Sequence, residues 1–119
     1  MRIALIDDNE IDIFVNKKLI ETSDIQAELV AYNNPLDALQ TLEKESIDVV
    51  IVDNQMPEIS GHGFLEKLID FRIATPTMIV LTASVHDELR LKYESLHPDI
   101  LLWEKPLNVE NLNSLLAKI

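Results

Sequence analysis

Asp53 closes an apolar run, Ile47-Asp48-Val49-Val50-Ile51-Val52, and is followed by Asn54-Gln55-Met56-Pro57. Asp7 and Asp8 stand in the same relation to Arg2-Ile3-Ala4-Leu5-Ile6, Thr82 to Thr77-Met78-Ile79-Val80-Leu81, and Lys105 follows Asp99 to Glu104. If these side chains meet, their types suit one chemistry. Three carboxylates in a partly dry pocket repel one another, and a hard divalent cation relieves the repulsion. Mg²⁺ prefers oxygen ligands and often sits beside a phosphate. A carboxylate can attack phosphorus, and the acyl phosphate so formed needs its oxygens neutralised by a cation, an ammonium or a hydroxyl. Asp7, Asp8, Asp53, Thr82 and Lys105 are therefore the parts expected for phosphoryl transfer to an aspartate, with Asp53 as acceptor.

That chemistry needs elements that bring distant residues together. Ile47, Val49, Val50, Ile51 and Val52 are β-branched, and a run without alternation predicts a strand covered on both faces. Pro57 has no amide donor, so the strand ends before it. Further strands are predicted over 2–6, 25–32, 77–81 and 99–103, the second with the partial alternation of an exposed edge. Ile11 to Glu21 predicts a helix whose apolar face is Ile11, Val15 and Leu19, with Phe14 beside them. Asn34 and Pro35 suit the start of a second helix, to about Lys44. Phe64, Leu65, Leu68, Ile69 and Phe71 mark a third helix. His86 to Ser95 forms a fourth, thinly apolar and the one most prone to shift. Asn108 caps a fifth, carried by Leu112, Leu115, Leu116 and Ile119. Gly61 and Gly63 are the two glycines of the chain, and a position that cannot hold a Cβ is the reason to suspect either.

Five strands alternating with five helices predict an α/β fold, a parallel sheet with helices on both faces and right-handed crossovers. In such sheets the functional crevice lies beyond the carboxyl ends of the strands. All the chemically promising residues leave strands at that edge, so they can meet although far apart in sequence.

Composition narrows the function classes. The 119 residues suffice for one domain, 1–119, with one core. A formal net charge of −11 argues against binding nucleic acid, whose phosphates it repels. There is no cysteine, hence no disulfide or thiol ligand, which fits a cytoplasmic protein. The apolar start, Ile3 to Ile6, is too short for a signal-peptide core or a membrane span.

The segments Ile6-Asp7-Asp8-Asn9, Val52-Asp53-Asn54-Gln55-Met56-Pro57 with Gly61, Leu81-Thr82-Ala83 and Lys105-Pro106 resemble those of the receiver domain of bacterial two-component response regulators. The resemblance spans essentially the whole chain. It implies a doubly wound, flavodoxin-like sheet of order 2-1-3-4-5 and a cis Lys105-Pro106 peptide. It implies that Asp53 takes a phosphoryl group from a sensor histidine kinase or a histidine phosphotransfer protein. Mg²⁺ is then held by Asp8, Asp53 and the carbonyl of Gln55, with Asp7 acting through water. Thr82 turns toward the phosphoryl group and Lys105 pairs with it. Gln55 and Ser84 occupy the positions that influence hydrolysis. The output is a changed protein–protein surface for a downstream protein, unknown from sequence, and a homodimer is compatible with it. Self-phosphorylation and self-dephosphorylation are the only enzymatic activities implied. One departure stands out. Many relatives carry Tyr or Phe three residues before the lysine, where this chain has Leu102. Trp103 is the next residue and faces the other way. Signal output is therefore expected to rest more on the loop after Thr82 and on the helix from His86 to Ser95.

Other readings compete. A degenerate receiver serving only as a docking or dimerisation module is the alternative, although the complete acidic, threonine and lysine set argues against it. A Mg²⁺-dependent phosphatase would need an acid two places after Asp53 and a segment to cap its substrate. A flavin site lacks its phosphate-cradling loop. At single residues, Asp7 and Asp8 can cap the first helix, Lys105 can pair with Glu104 in solvent, Trp103 can be a half-exposed sheet residue, and His62, His86 and His97 read as surface or packing residues.

Overall fold

The computed structural model describes residues 1–71 and 75–117. Its elements run β1 Arg2–Ile6, α1 Glu10–Thr22, β2 Glu28–Tyr32, α2 Pro35–Leu42, β3 Val49–Asp53, α3 Gly61–Phe71, β4 Thr77–Thr82, α4 Asp87–Leu96, β5 Leu101–Glu104 and α5 Val109–Ser114, with a 3₁₀ turn at Leu115–Ala117. The five strands form one parallel sheet in the order β2-β1-β3-β4-β5. This is the α/β arrangement expected from the alternation of elements, and the sheet order that the resemblance implied.

Sequence position and burial agree in the centre of the sheet. Every residue of β3 is buried. Ala4, Ile6, Val50, Val52, Met78 and Val80 face one core, which α2, α3 and α4 cover through Leu42, Phe64, Leu68 and Tyr93. Ile3, Leu5, Val49, Ile51, Ile79 and Leu81 face the other, closed by Ile20 of α1 and by Leu112 and Leu115 at the C-terminal end. The sheet is thus apolar on both sides, which explains why the central strands lack alternation. β2 and β5 are the edges and have no fully buried residue. Leu102 packs with the first core and Trp103 with the second, so the two do face opposite ways.

Helix α1 corrects its sequence reading. Its buried residues are Asn16 and Ile20, with Ile13 and Leu19 partly covered. Ile11, Phe14 and Val15 are 74%, 62% and 48% exposed. The apolar residues of α1 satisfy helical spacing on more than one stripe, and packing against the sheet and α5 selects the stripe through Ile13, Asn16 and Ile20. The cap is Asn9, whose Oδ1 accepts from the amides of Ile11 and Asp12 at 2.9 and 3.1 Å. Capping is therefore not the task of Asp7 or Asp8. Asn34, His86 and Asn108 cap α2, α4 and α5. At the C-terminal end Leu116 is 48% exposed rather than core, and Ile119 lies outside the described residues. No helix among the described residues is long and apolar enough to cross a membrane.

Candidate functional site

β3 ends on Asp53, which is 8% exposed and aligned with Leu81 of β4. β1 stops one residue before Asp7, which is 2% exposed. The amide of Asp7 donates to the Tyr32 carbonyl at 3.1 Å, and its Oδ1 accepts from the Asn9 amide at 2.9 Å. The end of β1 and the cap of α1 thus hold the same carboxylate. Asp8 is exposed beside it. One carboxylate oxygen from each of Asp7, Asp8 and Asp53 lies within 4.8 Å of the other two. Lys105 faces them: its Nζ is 2.9 Å from Asp53 Oδ1. The sheet brings it there, because the Lys105 amide donates to the Thr82 carbonyl at 2.8 Å. Glu104 is occupied elsewhere, accepting from the Val85 amide at 3.1 Å, so the solvent pair Lys105–Glu104 does not form.

Thr82 closes β4 and is buried. Its hydroxyl donates to the Ser84 carbonyl at 3.2 Å within the same turn. Thr82, Ser84, Gln55, Asp53 and Lys105 line one cleft of about 290 Å³. A second, about 160 Å³, lies on the other side of Lys105 and is lined by Asp7, Asp12, Val15 and Asn16. The structure therefore gathers Asp7, Asp8, Asp53, Thr82 and Lys105, with Gln55 and Ser84, at the carboxyl edge of the sheet.

Electrostatics follow from this crowding. Burial, reinforced by the charges of Asp53 and Asp12, pushes the Asp7 carboxyl up to about 6, against the opposing pull of the Asn9 amide and Lys105. Burial disfavours the Lys105 charge, but the hydrogen bond and charge of Asp53, with Asp7 and Asp12 behind it, outweigh this and raise its pKa. One ammonium among so many carboxylates leaves an acidic pocket of oxygen donors. Such a donor set fits a hard divalent cation.

Two contributors, Asp12 and the side chain of Asn54, went unnoticed in the sequence. Asp12 adds its charge to the pocket from the first turn of α1. Asn54 Oδ1 accepts from the Tyr93 hydroxyl at 2.6 Å, joining the loop after β3 to α4. His62 packs against that tyrosine with ring centroids 5.4 Å apart. The available signal was that Asn54 follows Asp53 directly, but nothing local indicated its partner 39 residues away.

Gly61, in contrast, was flagged for its missing Cβ. A Cβ there would lie 2.6 Å from the Asp53 carbonyl oxygen, 3.0 Å from the Tyr93 hydroxyl and 3.1 Å from Asn54 Cα. Alanine favours a helix over glycine by about 1 kcal/mol, but two of these clashes are with backbone that cannot swing aside. Gly61→Ala is expected to destabilise the protein by ~1–3 kcal/mol, read as a lower urea midpoint at unchanged slope. An unchanged or higher midpoint would show that the loop yields freely.

Comparison with known proteins agrees with this geometry. The chain matches the response regulator receiver domain family over residues 3–117. It is 31% identical over 122 residues to the sensor histidine kinase GacS of Pseudomonas protegens, covering 98% of this chain and 13% of that one. It is also 31% identical over 120 residues to an uncharacterized response regulatory protein of Shewanella oneidensis, covering 98% of this chain and 48% of the other. Both curated relatives are thus more than twice as long as this chain. The crystal structure of a response regulator receiver protein from Dyadobacter fermentans superposes with a TM-score of 0.82 at 25% identity, over 99% of this chain and 96% of that one. With its sequence matched almost from end to end and its sheet laid out in the same way, the chain belongs to the response regulator receiver domain family.

Proposed function

We propose that residues 1–119 act as one phosphoacceptor switch, in which Asp53 receives a phosphoryl group from a phosphohistidine. The observation that carries this reading is the buried Asp53 at a strand end, paired with Lys105 at 2.9 Å and grouped with Asp7 and Asp8 within 4.8 Å. An Asp53 carboxylate oxygen attacks phosphorus, the phosphorus–nitrogen bond of the donor breaks, and the imidazole leaves with the electron pair. Lys105 steadies the charge of the phosphoryl oxygens, and Thr82, on the wall of the same cleft, offers them a hydroxyl. Asp8, Asp53 and the Gln55 carbonyl would hold Mg²⁺, with Asp7 acting through water. When bound, Mg²⁺ supplies the positive charge that lets an anionic donor approach three carboxylates. Gln55 and Ser84 line the same cleft, and in this reading a hydrolytic water meets them there.

The partner class follows from the neighbours. Several relatives are histidine kinases by name, so the donor is a sensor histidine kinase or a histidine phosphotransfer protein. The exposed Ile11, Phe14 and Val15 on α1 give such a donor an apolar surface, and Val15 also lines the cleft shared by Asp7 and Lys105. The output is a population shift of the surface around α4, β5 and α5 toward a downstream protein. The acidic balance disfavours nucleic acid as its direct target, and the lack of cysteine fits work in the cytoplasm.

Intact mass after incubation with acetyl phosphate, with and without Mg²⁺, tests the reading. A Mg²⁺-dependent gain of one phosphoryl group supports it. No gain, together with no Mg²⁺ binding, would turn the assignment to a docking module that needs no phosphorylation.

The raised pKa of Asp7 gives this reading a pH signature. Its carboxyl moves from 3.8 to about 6 on folding, so between these values the folded, metal-free protein binds more protons than the unfolded chain. The stabilisation from this site is complete below pH 3.8 and is lost as pH rises through 6. Mg²⁺ must displace the same proton. Its affinity is expected to be level above neutrality and to fall by about tenfold per pH unit below 6. Calorimetric titrations at pH 5, 6 and 7.5 measure this, and an affinity equal at all three would refute it.

A further inference from the structure

α4 has one buried residue. Among its described residues only Tyr93 is buried, at 1% exposure, while Leu89 and Leu96 are partly covered and Leu91 is 63% exposed. The hydroxyl of Tyr93 does not end in apolar packing. It donates to Asn54 Oδ1 at 2.6 Å. The backbone of Asn54 is fixed from two other elements: its amide donates to the Leu81 carbonyl of β4 at 2.8 Å, and its carbonyl accepts from the Gly61 amide of α3 at 3.0 Å. Asn54 therefore ties β4, α3 and α4 together at the residue between Asp53 and Gln55. Among the described residues, this is the one side-chain hydrogen bond from the loop after β3 to α4.

The bond is built to transmit. Burial, and after it the charge of Asp53, pushes the Tyr93 phenol well above its ordinary pKa, with the His62 amide opposing. The hydroxyl thus remains a donor at every working pH. If the loop moved and α4 did not, a buried phenol would lose its acceptor, and a buried polar group without a partner is costly. Gly61 leaves no slack, since a Cβ there would touch both the Asp53 carbonyl and the Tyr93 hydroxyl. Leu102, aligned with Val80, packs against the apolar core, and the Thr82 hydroxyl turns back to Ser84.

We propose that the Tyr93–Asn54 hydrogen bond couples the state of the Asp53 site to helix α4, making Tyr93 a positioning residue for the loop and the relay to the output surface. The coupling rests on the phosphoacceptor reading of Asp53. It is also reciprocal: a partner that shifts α4 changes the affinity of the site for its ligands by the same factor.

The test uses Mg²⁺ with beryllofluoride, a phosphoryl mimic, and amide hydrogen exchange on the full chain. Tyr93→Phe keeps the ring and removes only the hydroxyl, and Asn54→Ala removes the acceptor. In the wild type, beryllofluoride should change exchange both around residues 53–55 and 82–84 and along α4. In each variant the change near Asp53 should persist, while the change along α4 falls to about half or less, and the double variant should lose no more than either single one. A role in packing alone would loosen α4 with and without the mimic and leave the change between the two states intact. That outcome overturns the coupling, as does additive loss in the double variant or a wild-type α4 that does not respond. If wild-type protein fails to bind Mg²⁺ and beryllofluoride at all, the phosphoacceptor reading fails first and the coupling with it.

Discussion

Asp53→Asn is expected to gain no mass from acetyl phosphate under conditions in which the wild-type protein gains one phosphoryl group. The amide that replaces the carboxylate is uncharged and a poor nucleophile, so the loss should be complete rather than partial. Neither remaining carboxylate can take over. Lys105 lies 2.9 Å from Asp53, whereas Asp8 is exposed to solvent, and Asp7 is buried and anchored by the Asn9 amide. Residual phosphorylation at Asp7 or Asp8, located by peptide mapping, would defeat this assignment. The same variant carries a second expectation of opposite sign. Removing the Asp53 charge relieves two carboxylate repulsions within 4.8 Å and forfeits one attraction to Lys105. At the dielectric of a half-exposed pocket these terms are similar in size, so the balance favours the variant by on the order of 1 kcal/mol without metal. The urea midpoint of metal-free Asp53→Asn should therefore rise above that of wild type, and added Mg²⁺ should narrow the gap.

Lys105→Ala is expected to slow phosphorylation without preventing it and to weaken the surface response. The nucleophile stays in place, so chemistry continues. What is lost is a charge-assisted hydrogen bond, typically worth ~1.5–3 kcal/mol, or roughly 10- to 100-fold in rate if it is realised in full at the transition state. The lower end applies here, because the lysine side chain is about a third exposed, at 36%. The response suffers for a mechanical reason. Lys105 joins β5 to the segment that leads through Pro106 and Leu107 into α5, and its hold on Asp53 is the direct tie of that segment to the acceptor. Time courses of intact mass give the rate, and amide exchange along β5 and α5 gives the response. A variant that phosphorylates slowly yet shows the whole wild-type response would disprove the mechanical part. Restoring charge as arginine should not restore the rate fully, since the planar fork of guanidinium does not occupy the place of an ammonium.

How far a sequence can be read depends on the range over which its information acts. The apolar run from Ile47 to Val52 identified a buried strand because burial on both faces leaves its mark on consecutive residues. Asp53 then had to emerge at its end. The same argument placed Asp7, Thr82 and Lys105 at one edge, since every parallel strand ends on the same side. The caps Asn34 and Asn108 were equally local, as a side chain satisfying free amides within the next turn. The strand order was different in kind. It came from the resemblance, because alternation of strands and helices does not say which strands are neighbours.

The tertiary structure decided whatever depends on contacts across the chain. α1 carries apolar residues on more than one helical stripe, and only the surface it meets selects Ile13, Asn16 and Ile20 over Ile11, Phe14 and Val15. Lys105 had two carboxylates within plausible reach, and the sheet register sends it to Asp53 and leaves Glu104 to the Val85 amide. Asp7 owes its raised pKa to burial among residues from several strands and helices. The bond between Tyr93 and Asn54 spans 39 residues and leaves no periodic trace in either segment. Sequence by itself therefore determined the elements and the edge at which the chemistry gathers, because backbone geometry converts short-range pattern into direction. Which partner each polar group takes was left to the fold, because hydrogen bonds and charges select among neighbours that exist only once distant segments have packed together.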